Sequence, residues 1–319
     1  MRLGRVRLTA PVVALLILVL VALTSIALVA SEGDETLELP ETSTIEVGGA
    51  PLDVAVGNGA VWVTDTLGAS LFEVEVGGGV SDPISLIETP AGLALGGGSV
   101  WVGYAQGSAI TRVDEASGDV VDEAIAAGNT PQAVAATEDS VWVAALDSSR
   151  VTRFDAATGK QVGNPIRVGA FPSALAVGFG SLWVADVVDD SVLKISLDDP
   201  KRRERIPVGG SPVALAVGED AVWVANFQDA TVTRVDPTTS APLGAPIAVG
   251  GKPSGIAAGE GYVWVTRTDD DQLIRIDPQS ARWTGELIEV GDSPFGVDVG
   301  EGSVWVANQR DGTITRVDP

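Results

Sequence analysis

GEDAVWVAN, residues 218–226, returns almost unchanged as GEGSVWVAN at residues 300–308. Its centre, Val-Trp-Val (Leu-Trp-Val once), occurs seven times and places tryptophan at Trp62, Trp101, Trp142, Trp183, Trp223, Trp264 and Trp305. The intervals are 39, 41, 41, 40, 41 and 41 residues. Eleven residues before each tryptophan stands a proline: Pro51, Pro90, Pro131, Pro172, Pro212, Pro253 and Pro294. Eleven residues after it come Glu73, Arg112, Arg153, Lys194, Arg234, Arg275 and Arg316. Three markers in one register across seven units define an internal repeat. Periods of roughly 20–50 residues belong to solenoids, propellers and arrays.

Working outward from the tryptophan, each unit divides into four short strands. In the fifth unit these are PVALAVG at 212–218, AVWVAN at 221–226, TVTRVDP at 231–237 and APIAVGG at 245–251. Gly, Asp and Asn lie between them, as tight turns require. The period is two and no unit holds a helix-length segment, which excludes helical and leucine-rich repeats. Four strands in about 40 residues is the pattern of a propeller blade. The spacing therefore predicts an all-β, seven-bladed propeller over residues 43–319. The last unit stops at Val317-Asp318-Pro319, after its third strand. STIEVGG at 43–49 supplies the missing fourth strand, so the N-terminal strand is expected to close the ring and protect its sheet edges.

The second strand of each unit is apolar without alternation. Stacked blades cover both faces of it, so Val222 and Val224 meet one neighbour and Trp223 the other. The tryptophans are therefore structural, each stabilising by several kcal/mol at roughly 25 cal/mol per Å² of buried area. Trp283, outside the repeat, is expected near the surface. The first strand carries small residues where wedge-shaped blades crowd the axis. Asp53 and Asp298 break that pattern.

Ahead of the repeats, residues 8–30 (LTAPVVALLILVLVALTSIALVA) carry no charge over 23 positions. A helix needs about 20 such residues to cross a bilayer. Arg2, Arg5 and Arg7 precede it and Glu32, Asp34 and Glu35 follow, so the positive-inside rule keeps residues 1–7 cytoplasmic and exports the rest. The length favours an uncleaved, single-pass signal anchor in the cell membrane over a cleaved signal peptide. Small residues at Ser25, Ala27 and Ala30 keep secretion after cleavage as the alternative. Residues 31–42 hold five acids and no base, an acidic linker.

Beyond residue 30 the chain carries 17 basic and 43 acidic residues, a balance of −26. Such a body repels phosphate backbones, which argues against nucleic acid as a partner. There is no Cys and no His. Imidazole is the usual general base near neutrality and the commonest nitrogen ligand for metals. Any chemistry here rests on carboxylates, Lys, Tyr, hydroxyls or backbone groups. The sequence has no phosphate-binding loop and no nucleophile elbow.

In a propeller the proline loops and the ends of the second strands open on one face. Three residues after each tryptophan come Asp65, Tyr104, Ala145, Asp186, Asn226, Arg267 and Asn308. Lys252 stands just before its proline. The frame repeats while these positions vary, as in an asymmetric binding face for a protein or small-molecule ligand. Asp and Asn after a strand also bond the following turn, which is the structural alternative. Asp53 and Asp298 fall in blades adjacent across the closure. With Asp65 they form a candidate carboxylate cluster for a hard divalent cation, calcium or magnesium. The acidic hairpins VVDDS at 187–191 and TDDDQ at 268–272 lack a dedicated calcium loop and read as solvated turns. The Arg/Lys row belongs to the frame.

Val-Trp-Val-Ala-Asn, then Thr-Val-Thr-Arg-Val-Asp-Pro, then a Thr-Gly turn resembles the YVTN/NHL class of β-propeller repeats. Within it the sequence is similar to the streptogramin (virginiamycin B) lyase group over residues 43–319. The resemblance implies a propeller, and a lyase that opens a lactone by elimination with histidines and magnesium. This chain offers no histidine for those positions. Gluconolactonase-like propellers imply instead a tunnel metal held by Glu, Asn and Asp, for which Asp53, Asp186, Asn226 and Asp298 have the right chemistry. The expected function is a membrane-anchored, extracytoplasmic binding module, a sensor or scaffold without catalysis. A metal-dependent lactone or ester hydrolase or lyase is the alternative, and a structural envelope component is the third.

Overall fold

The computed structural model describes residues 39–319, and residues 40–319 form one compact unit. The expected cytoplasmic segment 1–7, anchor 8–30 and most of the acidic linker lie outside the described residues. Seven antiparallel sheets follow one another around a ring. Blade 5 shows the plan: Pro212–Gly218 innermost, Ala221–Asn226 second, Thr231–Asp236 third. Its outer strand is broken into Ala241–Pro242 and Ile247–Ala248, both paired with the third. Blade 6 has the same interruption, at Arg282–Trp283 and Ile288–Glu289.

Blade 7 closes the circle. Pro294–Gly300, Ser303–Asn308 and Thr313–Asp318 come from the C-terminus, and Glu41–Glu46 from the N-terminal side. The register runs from Glu41 opposite Asp318 to Glu46 opposite Thr313. Val47 and Gly48 then donate to the Gly312 carbonyl. The strand begins two residues earlier than the 43–49 expected, taking Glu41 and Thr42 from the linker. Asp318 lies beside the Gly300–Ser303 turn, accepting a hydrogen bond from Ser303 Oγ at 2.9 Å. The chain thus enters the ring on the face opposite the proline loops.

The core is divided among the blade interfaces. Seven apolar clusters each join two successive blades. Trp183 of blade 4 meets Val222 and Val224 of blade 5, and Trp223 meets Val263 and Val265 of blade 6. Each tryptophan points to the following blade and its flanking valines to the preceding one, which is why the strand does not alternate. In blades 2, 4, 5 and 6 the indole N–H also donates to a glycine carbonyl at the end of the innermost strand, at 3.1 Å.

The Arg/Lys row is frame. Register pairs Trp101 with Arg112, Trp142 with Arg153, Trp183 with Lys194, Trp223 with Arg234 and Trp305 with Arg316. In each the cation lies 5.3–5.7 Å from the ring centroid, within cation–π range. Arg275 covers Tyr262 instead and pairs bidentately with the buried Glu286. Trp283 is half-buried, not fully at the surface: it packs on the blade 5–6 cluster and donates to the Glu286 carbonyl.

Candidate functional site

The innermost strands enclose a central cavity of about 700 Å³. Its wall is mostly small and apolar, with Thr66, Thr89, Gln132, Ser173 and Ser254 as neutral polar residues and Asp53 and Asp298 as its charged ones. Asp298 Oδ2 accepts from the Val56 amide across the blade 7–1 seam at 2.8 Å, and its Oδ1 accepts from Val299. Asp53 Oδ2 accepts from the Leu93 amide of blade 2 at 3.1 Å, and its Oδ1 accepts from Val54. Each carboxylate therefore ties one innermost strand to the next. That explains why two acids replace small residues near the closure. Burial raises Asp53 to about 7, partly opposed by the hydrogen bonds from the Leu93 and Val54 amides and with a further push from Asp298. Burial likewise raises Asp298 to about 6. Both residues retain some solvent contact through the cavity.

Asp65 does not join them. It is 4 % exposed and serves its own turn. Oδ1 accepts from Ala50 and Leu67, and Oδ2 from Gly68 and Ser70 Oγ. Among the described residues no three Asp, Glu, His or Cys side chains group as metal ligands. The three-carboxylate cluster is corrected to two inter-blade clamps and one turn acceptor.

The position three residues after each tryptophan pairs with the proline of its own blade, as Pro51 with Asp65 and Pro212 with Asn226. This last rung of the sheet is wall, not mouth. Asp186 is buried and accepts from Ala170, Phe171, Val188 and Asp189, with Arg205 alongside at 3.5 Å. Asn226 and Asn308 are fully buried, each donating from Nδ2 to two threonines of the third strand. Their Oδ1 atoms have no hydrogen-bond partner among the described residues. Tyr104 is fully buried in the blade 1–2 core with its hydroxyl on Thr111, and burial raises its pKa. Arg267 is mostly covered, bonded to Gln272 and paired with Asp270. The expected exposed ring is thus corrected to an inner collar that fixes the loops, because a side chain on the closing rung finds turn amides and third-strand hydroxyls within reach.

Lys252 alone of those residues stands out on the face. It pairs with Asp269 at 3.1 Å and lies 5.4 Å from the Phe227 ring centroid. These residues, with Ser211, Gln228 and Asp270, line a second cavity of about 580 Å³ between blades 5 and 6. Leu67, Phe171, Val188 and Phe295 are exposed apolar side chains on the loops and strand starts of the same face. Sequence reasoning passed over Phe227 and Gln228. Their signal was the first variable residues after the repeated Val-Trp-Val-Ala-Asn.

The sequence profile of the Virginiamycin B lyase family matches residues 37–317. No curated protein sequence matches the chain. Among solved structures, a streptogramin B lyase is 18% identical with a TM-score of 0.76, covering 89% of this chain and 99% of its own. A catalytically inactive histidine-to-alanine variant of virginiamycin B lyase from Staphylococcus aureus, with quinupristin, is 18% identical with a TM-score of 0.74, covering 88% and 100%. The RRP9 WD40 repeats are 11% identical with a TM-score of 0.73, covering 88% and 99%. At such identities the likeness establishes the fold.

Proposed function

This chain belongs to the Virginiamycin B lyase family, and we propose that within it the chain is a non-catalytic binding propeller. A ligand or partner protein docks on the proline-loop face, in and around the blade 5–6 cavity. Residues 8–30 hold the body at the outer side of the cell membrane. One observation carries the reading: the 319 residues include no histidine. In the S. aureus lyase, replacing a histidine by alanine gives a catalytically inactive protein. The carboxylates that would substitute here are already bonded to backbone amides. The face keeps what recognition needs, an aromatic ring, an amide, a hydroxyl and a half-exposed ion pair in one concavity.

The test has two arms. Incubation with quinupristin and magnesium, followed by chromatography, is expected to return the intact ring. A photo-cross-linking residue replacing Gln228 on the cavity wall is expected to capture a partner in cells, whereas one replacing Gln279 on the opposite face captures none. Turnover of quinupristin, or equal capture from both faces, overturns the reading. Alkaline extraction of membranes tests the anchor: the full chain is expected in the pellet and a chain lacking residues 1–30 in the supernatant.

One observation favours the lyase or hydrolase alternative. Asp53 lines the central cavity, and burial there raises its carboxyl to about 7, the range in which a carboxylate serves as a proton acceptor. Lactone turnover lost in Asp53→Asn is the result that would establish it.

A further inference from the structure

The body is acidic, but not evenly. Residues 131–207, blades 3 and 4, hold nine basic and ten acidic side chains, whereas the rest of residues 31–319 holds eight and 33. Of eleven exposed Lys and Arg among the described residues, eight lie between positions 150 and 205. In a molecule with so many acids, surface cations ordinarily find carboxylates. Of the three exposed cations outside that stretch, Lys252 and Arg310 do so, with Asp269 and Asp292, and Arg282 does not among the described ion pairs. Among the described ion pairs, Arg205 is the one member of this group that has carboxylate partners, Asp186 and Asp189.

The arrangement of the others is unfavourable as it stands. Arg150 begins the third strand of blade 3 and lies directly opposite Arg167 of the outer strand, Ile166–Arg167. Like charges on directly opposed residues destabilise a sheet. Arg203 of blade 4 joins them, its guanidinium donating to the Arg167 carbonyl at 2.9 Å and to the Pro200 carbonyl at 2.7 Å. Three arginines thus converge on one blade junction: Arg203 is held by two carbonyls, and among the described ion pairs none of the three has a carboxylate partner. Beside them runs Arg203–Pro207, the outer strand of blade 4, paired with Ser191–Ile195 on one side only. Its other edge presents unpaired backbone groups. Basic residues on an edge strand discourage pairing with similar edges. The same residues favour a strand of opposite charge.

We propose that the outer wall at the blade 3–4 junction is a docking surface for an acidic protein segment in extended conformation. The segment adds along Arg203–Pro207 by main-chain pairing, and its carboxylates take the free guanidinium faces of Arg150, Arg167 and Arg203. Arg150 and Arg167 share the rung of Pro131 and Ala145, so this surface lies at the outer edge of blade 3, in blades other than those that line the blade 5–6 cavity, and the inference does not rest on the binding function proposed there. An acidic peptide is favoured over a phosphate polymer because two independent features, an open strand edge and a cation cluster, lie side by side. A phosphate polymer uses only the second.

The test is fluorescence anisotropy with the full chain in detergent at low ionic strength. The probes are a labelled (Glu-Thr)5 peptide, inorganic polyphosphate of matched charge and a (Lys-Thr)5 peptide. The acidic peptide is expected to bind tightest, to weaken as salt screens the contact, and to lose about tenfold or more in Arg203→Ser and in Arg167→Glu. Arg282→Glu with Arg310→Glu, exposed cations elsewhere, is expected to bind as the parent does. Arg167→Glu also replaces a like-charge pair by an opposite one, so its Tm is expected to rise, and loss of binding there is not loss of fold. Absence of peptide binding, polyphosphate bound equally or better, or no effect of Arg203→Ser overturns the proposal.

Discussion

The position three residues after the repeated tryptophan shows how one site in a repeat takes two chemistries without changing its role. Asp65 and Asp186 accept turn amides, while Asn226 and Asn308 donate to third-strand threonines. Truncating Asn226 to alanine leaves the Thr231 and Thr233 hydroxyls without that donor in a dry interior. Its expected cost is about 1–3 kcal/mol, read from urea unfolding. Asp53 and Asp298 make the opposite kind of prediction. Their folded pKa values, about 7 and about 6, lie above the ordinary 3.8. The folded state therefore binds their protons more tightly than the unfolded chain does. The stability this contributes is complete below pH ~4 and is lost as pH rises through 6 to 7. Asp53→Asn keeps an acceptor for the Leu93 amide and removes the charge. It is expected to raise Tm at pH 8, by about 1–2 kcal/mol of stability, with little effect at pH 4. Asp114, Asp155, Asp236 and Asp277 act in the other sense, since hydrogen bonds from their own turns lower them. Their contribution is lost on acidification below about pH 4.

At the scale of the strand and blade, the tryptophan is the largest single contributor to each interface. Trp183 is fully buried against Val222, Val224 and Val235 of the next blade, and Lys194 covers its own-blade side. Trp183→Ala opens a cavity that the backbone of two sheets cannot collapse into. The expected loss is about 3–5 kcal/mol, seen as a lower urea midpoint with unchanged slope. Lys194→Met keeps the apolar stem over the ring and removes the charge, so its effect is expected to stay near 1 kcal/mol. The contrast separates packing of the ring from the polar contacts of the ammonium, which lies over the indole and donates to the Pro237 carbonyl and the Ser240 hydroxyl of the next blade. The four-strand plan, the inward tryptophan and the frame role of the basic row were all legible from spacing. The broken outer strands of blades 5 and 6 were not, because an edge strand has one partner and little burial to impose a pattern on its sequence.

For the whole ring, closure is the decisive contact. Glu41–Glu46 completes blade 7, and Val47 and Ile45 join the cluster that holds Trp305 between blades 7 and 1. Deleting residues 1–46 bares the Thr313–Asp318 edge and opens the seam. The truncated protein is expected to aggregate or to melt at markedly lower temperature than one beginning at residue 37, as light scattering and calorimetry would show. A chain beginning at residue 37 and melting like the deletion would remove closure from the account of stability.

Reading along the chain was enough for the number of blades, the strand plan, the closing segment and the destination of each tryptophan. Those features repeat, and a repeated pattern is visible wherever burial is periodic. The candidate site was a different matter. Whether Asp65 faces a ligand or its own turn, and whether Asp53 and Asp298 share an ion or clamp neighbouring strands, depends on which amides the ring brings within hydrogen-bond distance, 2.8–3.1 Å, of each carboxylate. Likewise the opposition of Arg150 and Arg167 and the reach of Arg203 to the Arg167 carbonyl join residues 17 and 36 positions apart. Those encounters are set by sheet register and blade stacking, and no local pattern in the chain records them.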